Sequence, residues 1–296
     1  MEVNSAAGLF LVSLLLASGR APADPALFVH GLPEGWRAEL FAEGIPGADG
    51  IIVDNCGNII VASETTGRVL ILDEQGNSRI LTRDLRNPEG LCLDPSGSVY
   101  AVEDVNPGRA LLLADTPVVI TDSLVYPEGI AFSDGGLYIT ESEAENAALP
   151  PIVSRIVSSG PEGESVVFES LYLWSFSDLT VNDQGIIYVC NELSGLPLIT
   201  ASIIALDPVS GEWNVFCSGL NRCEGIGSTP GSFFPLYVAE EDVGDGSGRI
   251  SIVESDGSSR VLAGGFGNVE DVAVHPDGDI YVTDDTRGAV IRITGP

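Results

Sequence analysis

Basic residues are scarce in this chain: 13 Lys and Arg together face 43 acidic residues, giving a formal net charge of −30 and a pI near 4.1. Phosphate recognition needs clustered cations, so nucleic acid is excluded as a partner. The same field attracts cations and repels anionic substrates, and a solvated share of it keeps the protein soluble. Histidine is nearly missing too. His275 lies in the turn sequence HPDG and His30 precedes the first strand, so neither is placed as the base of a Ser-His-Asp or Cys-His arrangement. The cysteines Cys56, Cys92, Cys190, Cys217 and Cys223 contain no C-x-x-C pair, which excludes a structural zinc site. Cys217 and Cys223 are close enough to bridge in an exported protein; burial as core thiols is the alternative. No dinucleotide fingerprint is present, and GSGR near Gly246 is too short for a phosphate loop.

Long apolar runs are limited to residues 6–19 (AAGLFLVSLLLASG), too short to span a bilayer as a helix. The run has signal-peptide length and is followed by Ala21-Pro22-Ala23, which predicts removal of residues 1–23 and a secreted or periplasmic location. Glu2 and the missing Lys or Arg ahead of the run favour the other reading, an N-terminal helix packed on a cytoplasmic protein.

What the chain has in plenty is apolar residues (44%), 35 glycines and 18 prolines, the make-up of a buried core interrupted by many tight turns. One unit recurs through it. Its starts read GADGIIVD from Gly47, NPEGLCLD from Asn87, YPEGIAFS from Tyr126, SFSDLTVN from Ser175, RCEGIGST from Arg222 and NVEDVAVH from Asn268. Spacings of roughly 40 to 50 residues with several strands per repeat are those of a β-propeller. The second unit supplies four β-rich runs, LCLD (91–94), SVYAVE (98–103), ALLLAD (110–115) and PVVITD (117–122). The last unit supplies only three, and WRAELFAEGI (36–45) resembles the fourth-strand segments of other units. Splicing it onto the last sheet closes the ring and removes an open edge. The expectation is an all-β, six-bladed propeller with four antiparallel strands per blade, forming a single domain over residues 24–296.

Innermost strands of a propeller line its channel, so one repeat position becomes a ring at the mouth. The first ring is Asp49, Glu89, Glu128, Ser177, Glu224 and Glu270. The last residues of the second strands give a second ring, Ser63, Glu103, Glu141, Asn191, Glu240 and Asp284. Carboxylates converging in a partly desolvated funnel are relieved by protons or by a cation. An all-oxygen donor set suits Ca2+, with Mg2+ second. The bland alternative is that each Glu accepts backbone N–H groups of a neighbouring blade. Connections 141–153, 191–202 and 240–250 are long and predict a one-sided lid over the mouth. Trp174, Phe176, Ser177, Leu196 and Leu198 predict an apolar wall beside it, with interblade packing equally able to explain Trp174 and Phe176.

The PEG-type starts and strands ending YAVE, YITE, YVAE and YVTD resemble the regucalcin (SMP-30)/gluconolactonase/LRE-like family, in the wider group with paraoxonase, diisopropylfluorophosphatase and strictosidine synthase. In gluconolactonase-like members the first-ring column ligates one divalent cation and an Asp of that column serves as base. Asp49, Glu89, Glu128, Glu224 and Glu270 match the column by position, although its usual Asn residues are here Glu or Ser. The resemblance implies a metal-dependent hydrolase of a lactone or ester. Glu128 or Glu224 would activate water, and the substrate would be a neutral or cationic small molecule with an apolar part. Condensation, cyclisation or lyase chemistry with a mouth Glu as acid or base, and a non-catalytic binding propeller, are the alternatives.

Overall fold

The computed structural model describes residues 29–142, 153–161, 163–171, 174–192, 201–241 and 248–296. They form six four-stranded antiparallel sheets. The innermost strands, Ala48–Val53, Pro88–Leu93, Pro127–Ser133, Phe176–Val181, Cys223–Thr229 and Val269–Val274, touch one another in cyclic order. The sheets are thus blades one to six of a closed propeller. The sixth, Val269–Val274, Ile280–Asp284 and Ala289–Thr294, is completed by Arg37–Glu43, paired from Arg37↔Thr294 to Glu43↔Ala289. Among the described residues no helix is long and apolar enough to cross a membrane.

Strand composition follows position in the blade. Second strands such as Ile59–Ser63 are buried throughout, because neighbouring blades cover both faces. The outermost strand Ser78–Thr82 is mostly exposed. Apolar clusters fill the gaps between blades, as where Ile250, Leu262 and Phe266 of blade five meet Val272, Val282 and Ile291 of blade six. At the end of the barrel away from the mouth, Asp residues close the turns: Asp94 Oδ1 accepts from Ser96 N at 2.8 Å and Ser98 N at 2.9 Å. His275 sits at this end, paired with Asp277 at 2.7 Å.

The first strand of each unit begins earlier than its apolar run. In blade two Pro88 pairs with Glu103 and Leu91 with Ala101, so three steps on one strand oppose two on the other. The same bulge recurs at Ala48/Ile51, Pro127/Ile130, Phe176/Leu179, Cys223/Ile226 and Val269/Val272. Bulges turn a side chain out of the pleat, and here each one carries a first-ring residue.

A disulfide joins Cys190, on the second strand of blade four, to Cys223, at the start of blade five, with Cα atoms 5.6 Å apart. The Cys217–Cys223 bridge expected from proximity in sequence is not formed. Cys217 is a buried free thiol on the outermost strand of blade four, Trp213–Leu220. Packing between blades, not loop length, selects Cys190 as the partner.

Candidate active site

Asp49, Glu89, Glu128, Ser177, Glu224 and Glu270 do converge, together lining a cavity of about 20 Å³, room for one water or one ion. Close approach of the inner strands makes this possible: a Cβ on Gly90 would lie 2.3 Å from the carbonyl oxygen of Glu128. Burial, then its neighbours Asp49, Asp104, Glu128 and Glu224, raises the Glu89 pKa well above the carboxylate range. Asp49 and Glu224 are raised in the same way, burial first and nearby carboxylates second. Glu270 is pushed to about 8 by burial, then by Glu241 and Asp285. Asn268 Nδ2 donates to Glu270 Oε1 at 2.8 Å, but Glu89 Oε2 and Glu224 Oε2 are buried with no hydrogen-bond partner among the described residues. Ser177 is different: its hydroxyl ties blade four to blade five through the carbonyls of Cys223 and Glu224.

The second ring, by contrast, is structural. Glu103 is fully buried and accepts from Arg86 N at 2.9 Å, Arg86 Nε at 3.0 Å and Arg109 Nε at 2.6 Å. Burial raises its pKa, but these arginines outweigh it and the net shift is downward. Glu141 accepts from Val125 N, Asn191 from Ser175 N, Glu240 from Asn221 N and Arg249, and Asp284 from Gly267 N and Arg287. Each holds the crossover leading into its own blade, and Ser63 does so through Pro46 O. The expectation that these residues face the mouth is corrected, since strand side chains alternate and one residue's shift reverses the face.

The next residue along does sit beside the first ring. Glu64, Asp104, Ser142, Glu192, Glu241 and Asp285 each donate their backbone N–H to the carbonyl two residues before a first-ring position, as Glu241 N does to Arg222 O at 2.8 Å. Five of these six are acidic. They form an outer ring around the inner one, and the doubled acids Glu103-Asp104, Glu240-Glu241 and Asp284-Asp285 were its visible sign. All 13 basic residues are arginine, and the second ring uses several of them. Among the described residues Arg222 is the basic residue tied to the outer ring, at 3.0 Å from Glu192 and 2.5 Å from Glu241.

Asp178 and Asp271 replace the glycine that follows the first-ring residue in the other four blades. Each reaches the next blade, Asp178 Oδ2 accepting from Ile226 N at 3.2 Å and Asp271 Oδ2 from Ile51 N at 2.9 Å. Gly129 and Gly225 leave the room they need, since a Cβ there would lie 2.6 and 2.5 Å from the aspartate Cα atoms. Burial raises both carboxyls, Asp271 to about 6, and Asp271 adds to the rise at Asp178. They cap the mouth from below; beyond them the channel holds a cavity of about 300 Å³ lined by groups such as Leu91, Ile130 and Val272.

Phe176 is fully buried, and Trp174 stacks on Phe168 and meets Trp213 edge-on at 4.8 Å. Both belong to the packing between blades three and four, the alternative to an apolar wall at the mouth. Leu196, Leu198 and the centres of the three long connections lie outside the described residues.

No protein-family model matches the sequence, and no curated protein matches it. Solved structures do. A gluconolactonase from Xanthomonas campestris superposes with a TM-score of 0.71 at 13% identity, over 88% of this chain and 90% of that one. The chain has the fold of gluconolactonase-like propellers. Other neighbours carry other activities: a PQQ-bound aldose sugar dehydrogenase from Streptomyces coelicolor (TM-score 0.65, 14% identity, 88% and 99% covered) and a streptogramin B lyase (0.61, 12%, 88% and 97%). At such identities the likeness establishes architecture, and chemistry has to be argued from the mouth.

Proposed function

We propose that the protein is a divalent-cation-dependent hydrolase of a lactone or ester, working at the acidic mouth of the channel. The observation that carries this reading is the pair of buried oxygens on Glu89 and Glu224, without a hydrogen-bond partner among the described residues, beside an ion-sized cavity. Buried polar atoms in native proteins are nearly always hydrogen-bonded, so a pair of such oxygens beside one cavity calls for a partner. Among the described residues the donor set is all oxygen, with no His or Cys lining the cavity, and so fits Ca2+ before Mg2+ and both before zinc or copper. Asp49, Glu89, Glu128, Glu224 and Glu270 would hold the ion. Once bound, it would neutralise the ring and polarise a carbonyl oxygen.

The chain's own groups account for the protons. Glu128 or Glu224, as carboxylate, takes a proton from the water whose oxygen bonds to the acyl carbon; the acyl C–O bond breaks, and a protonated ring carboxyl returns a proton to the departing alkoxide. Carboxyls raised toward neutrality suit both directions of transfer, as Glu270 near 8 illustrates. The acidic mouth disfavours anionic substrates and admits neutral or cationic ones. The Cys190–Cys223 disulfide supports the export reading of residues 1–23, since such bonds persist in oxidising compartments.

The test is metal content of the purified protein, with hydrolysis of a lactone and ester panel before and after chelation. Stoichiometric calcium, loss of turnover on chelation and its return on calcium addition are expected. Glu128→Gln or Glu224→Gln should lower kcat by about 10²–10⁴-fold. Turnover that survives complete metal removal would instead favour metal-free acid–base chemistry by the proton-holding ring, as in a lyase.

A further inference from the structure

Arg222 has no charged counterpart in the repeat: the equivalent residues are Gly47, Asn87, Tyr126, Ser175 and Asn268. It lies two residues before Glu224, just ahead of the strand Cys223–Thr229. Its Nε sits 3.0 Å from Glu192 Oε2, and its Nη1 2.5 Å from Glu241 Oε2. Glu241 is at the same time one of three carboxylates, with Glu224 and Glu270, that offer oxygens within 4.8 Å of one another. Glu224 Oε2 is a buried atom of that trio with no hydrogen-bond partner among the described residues. One group of oxygens thus has the spacing for a divalent cation, and an internal cation already holds one member of it.

We infer that Arg222 is a resident counter-cation that competes with a divalent cation for Glu241 and so sets the cation affinity of the mouth. The inference rests on the reading of the mouth as a cation site. Three carboxylates this close repel one another, and the guanidinium beside Glu241 offsets part of that repulsion. An arriving divalent ion meets twice the repulsion from Arg222 that a monovalent one does. Release of Glu241 costs one ion pair rather than two, because Glu192 still holds Nε. Glu192 is then a holding partner for the displaced guanidinium, which explains a buried acid placed 30 residues away in sequence on blade four.

The test is calorimetric titration of the full, oxidised chain with calcium chloride at about pH 8.5, where protons on the ring compete least. Arg222→Gln should bind calcium about tenfold more tightly or better, and Arg222→Lys, which keeps the charge, within about threefold of wild type. A melting curve in chelator reports whether each variant is folded. Unchanged or weaker binding by folded R222Q, beside normal binding by wild type, overturns the inference and leaves the cation site standing. Binding by neither rejects the cation site and the inference with it. Should R222Q not fold, Glu241→Gln decides: calcium binding at least about tenfold weaker supports the contested ligand, and wild-type affinity overturns it.

Discussion

The two ends of the propeller use the carboxylate group in opposite ways. At the turn end, Asp94 is partly exposed, accepts three hydrogen bonds from Ser96 and Ser98, and has its pKa drawn down to about 2, first by the Ser96 hydroxyl and then by Ser98 N. At the mouth, Glu270 is shielded, surrounded by Glu241, Asp285 and Glu64, and raised to about 8. The difference teaches that an acidic count says little until each carboxylate's partners are known. Several donors make a carboxylate a structural clip; crowding and burial that outweigh its donors make it a proton or cation acceptor.

The contrast can be broken most severely at a residue that looks like the mouth and behaves like a clip. Glu103→Ala leaves Arg86, Arg109 and a backbone N–H without their shared acceptor; loss of about 3–5 kcal/mol of stability is expected in chemical unfolding, with calcium affinity nearly unchanged. A large fall in calcium affinity in folded E103A would return Glu103 to the mouth. The disulfide comes next. Cys223 lies between Arg222 and Glu224, and its bond to Cys190 closes a separation of 33 residues. Its reduction should cost about 3 kcal/mol and weaken calcium binding, whereas a melt indifferent to reductant would mean the thiols are not bonded.

A pH series separates the two ends more gently. Folding raises the ring pKa values, so metal-free stability from Glu270 is full below its ordinary value of 4.5 and declines as pH climbs to about 8. The decline should be on the order of a few kcal/mol and should vanish with saturating calcium. Asp94 contributes with the reverse sign: its depressed pKa gives stability present above the ordinary 3.8 and lost as pH falls to about 2. A metal-free protein equally stable at pH 5 and 9 would show the ring to be solvated. The smallest effect is expected of Asp94→Asn, which should shift the melt by about 2 °C at most and leave the calcium response intact.

Much of this was legible in advance. The PEG-type starts located the six inner strands and the first ring, and the missing fourth strand of the last unit pointed to residues 36–45, where Arg37–Glu43 does complete the sheet. The second ring was misplaced by one residue, because the bulge at each ring position shifts which strand-end residue faces the channel. Asp178 and Asp271 were in view as departures from glycine in the repeat, yet nothing local says that they cap the mouth. The Cys190–Cys223 pairing lay beyond sequence proximity altogether.

The sequence by itself determined the repeat, the strand order and the excess of acid, because these follow from periodicity and turn chemistry, which are local. Only the tertiary structure decided which acids around the mouth find donors. That choice is made between blades, by strands whose separation in the chain is tens of residues: Arg222 of blade five meets Glu192 of blade four, and Asp271 of blade six meets Ile51 of blade one. Ring closure brings these pairs together and crowds buried Glu270 against Glu241 and Asp285, raising it to about 8, while Asp94, clipped by donors of its own turn, stays near 2.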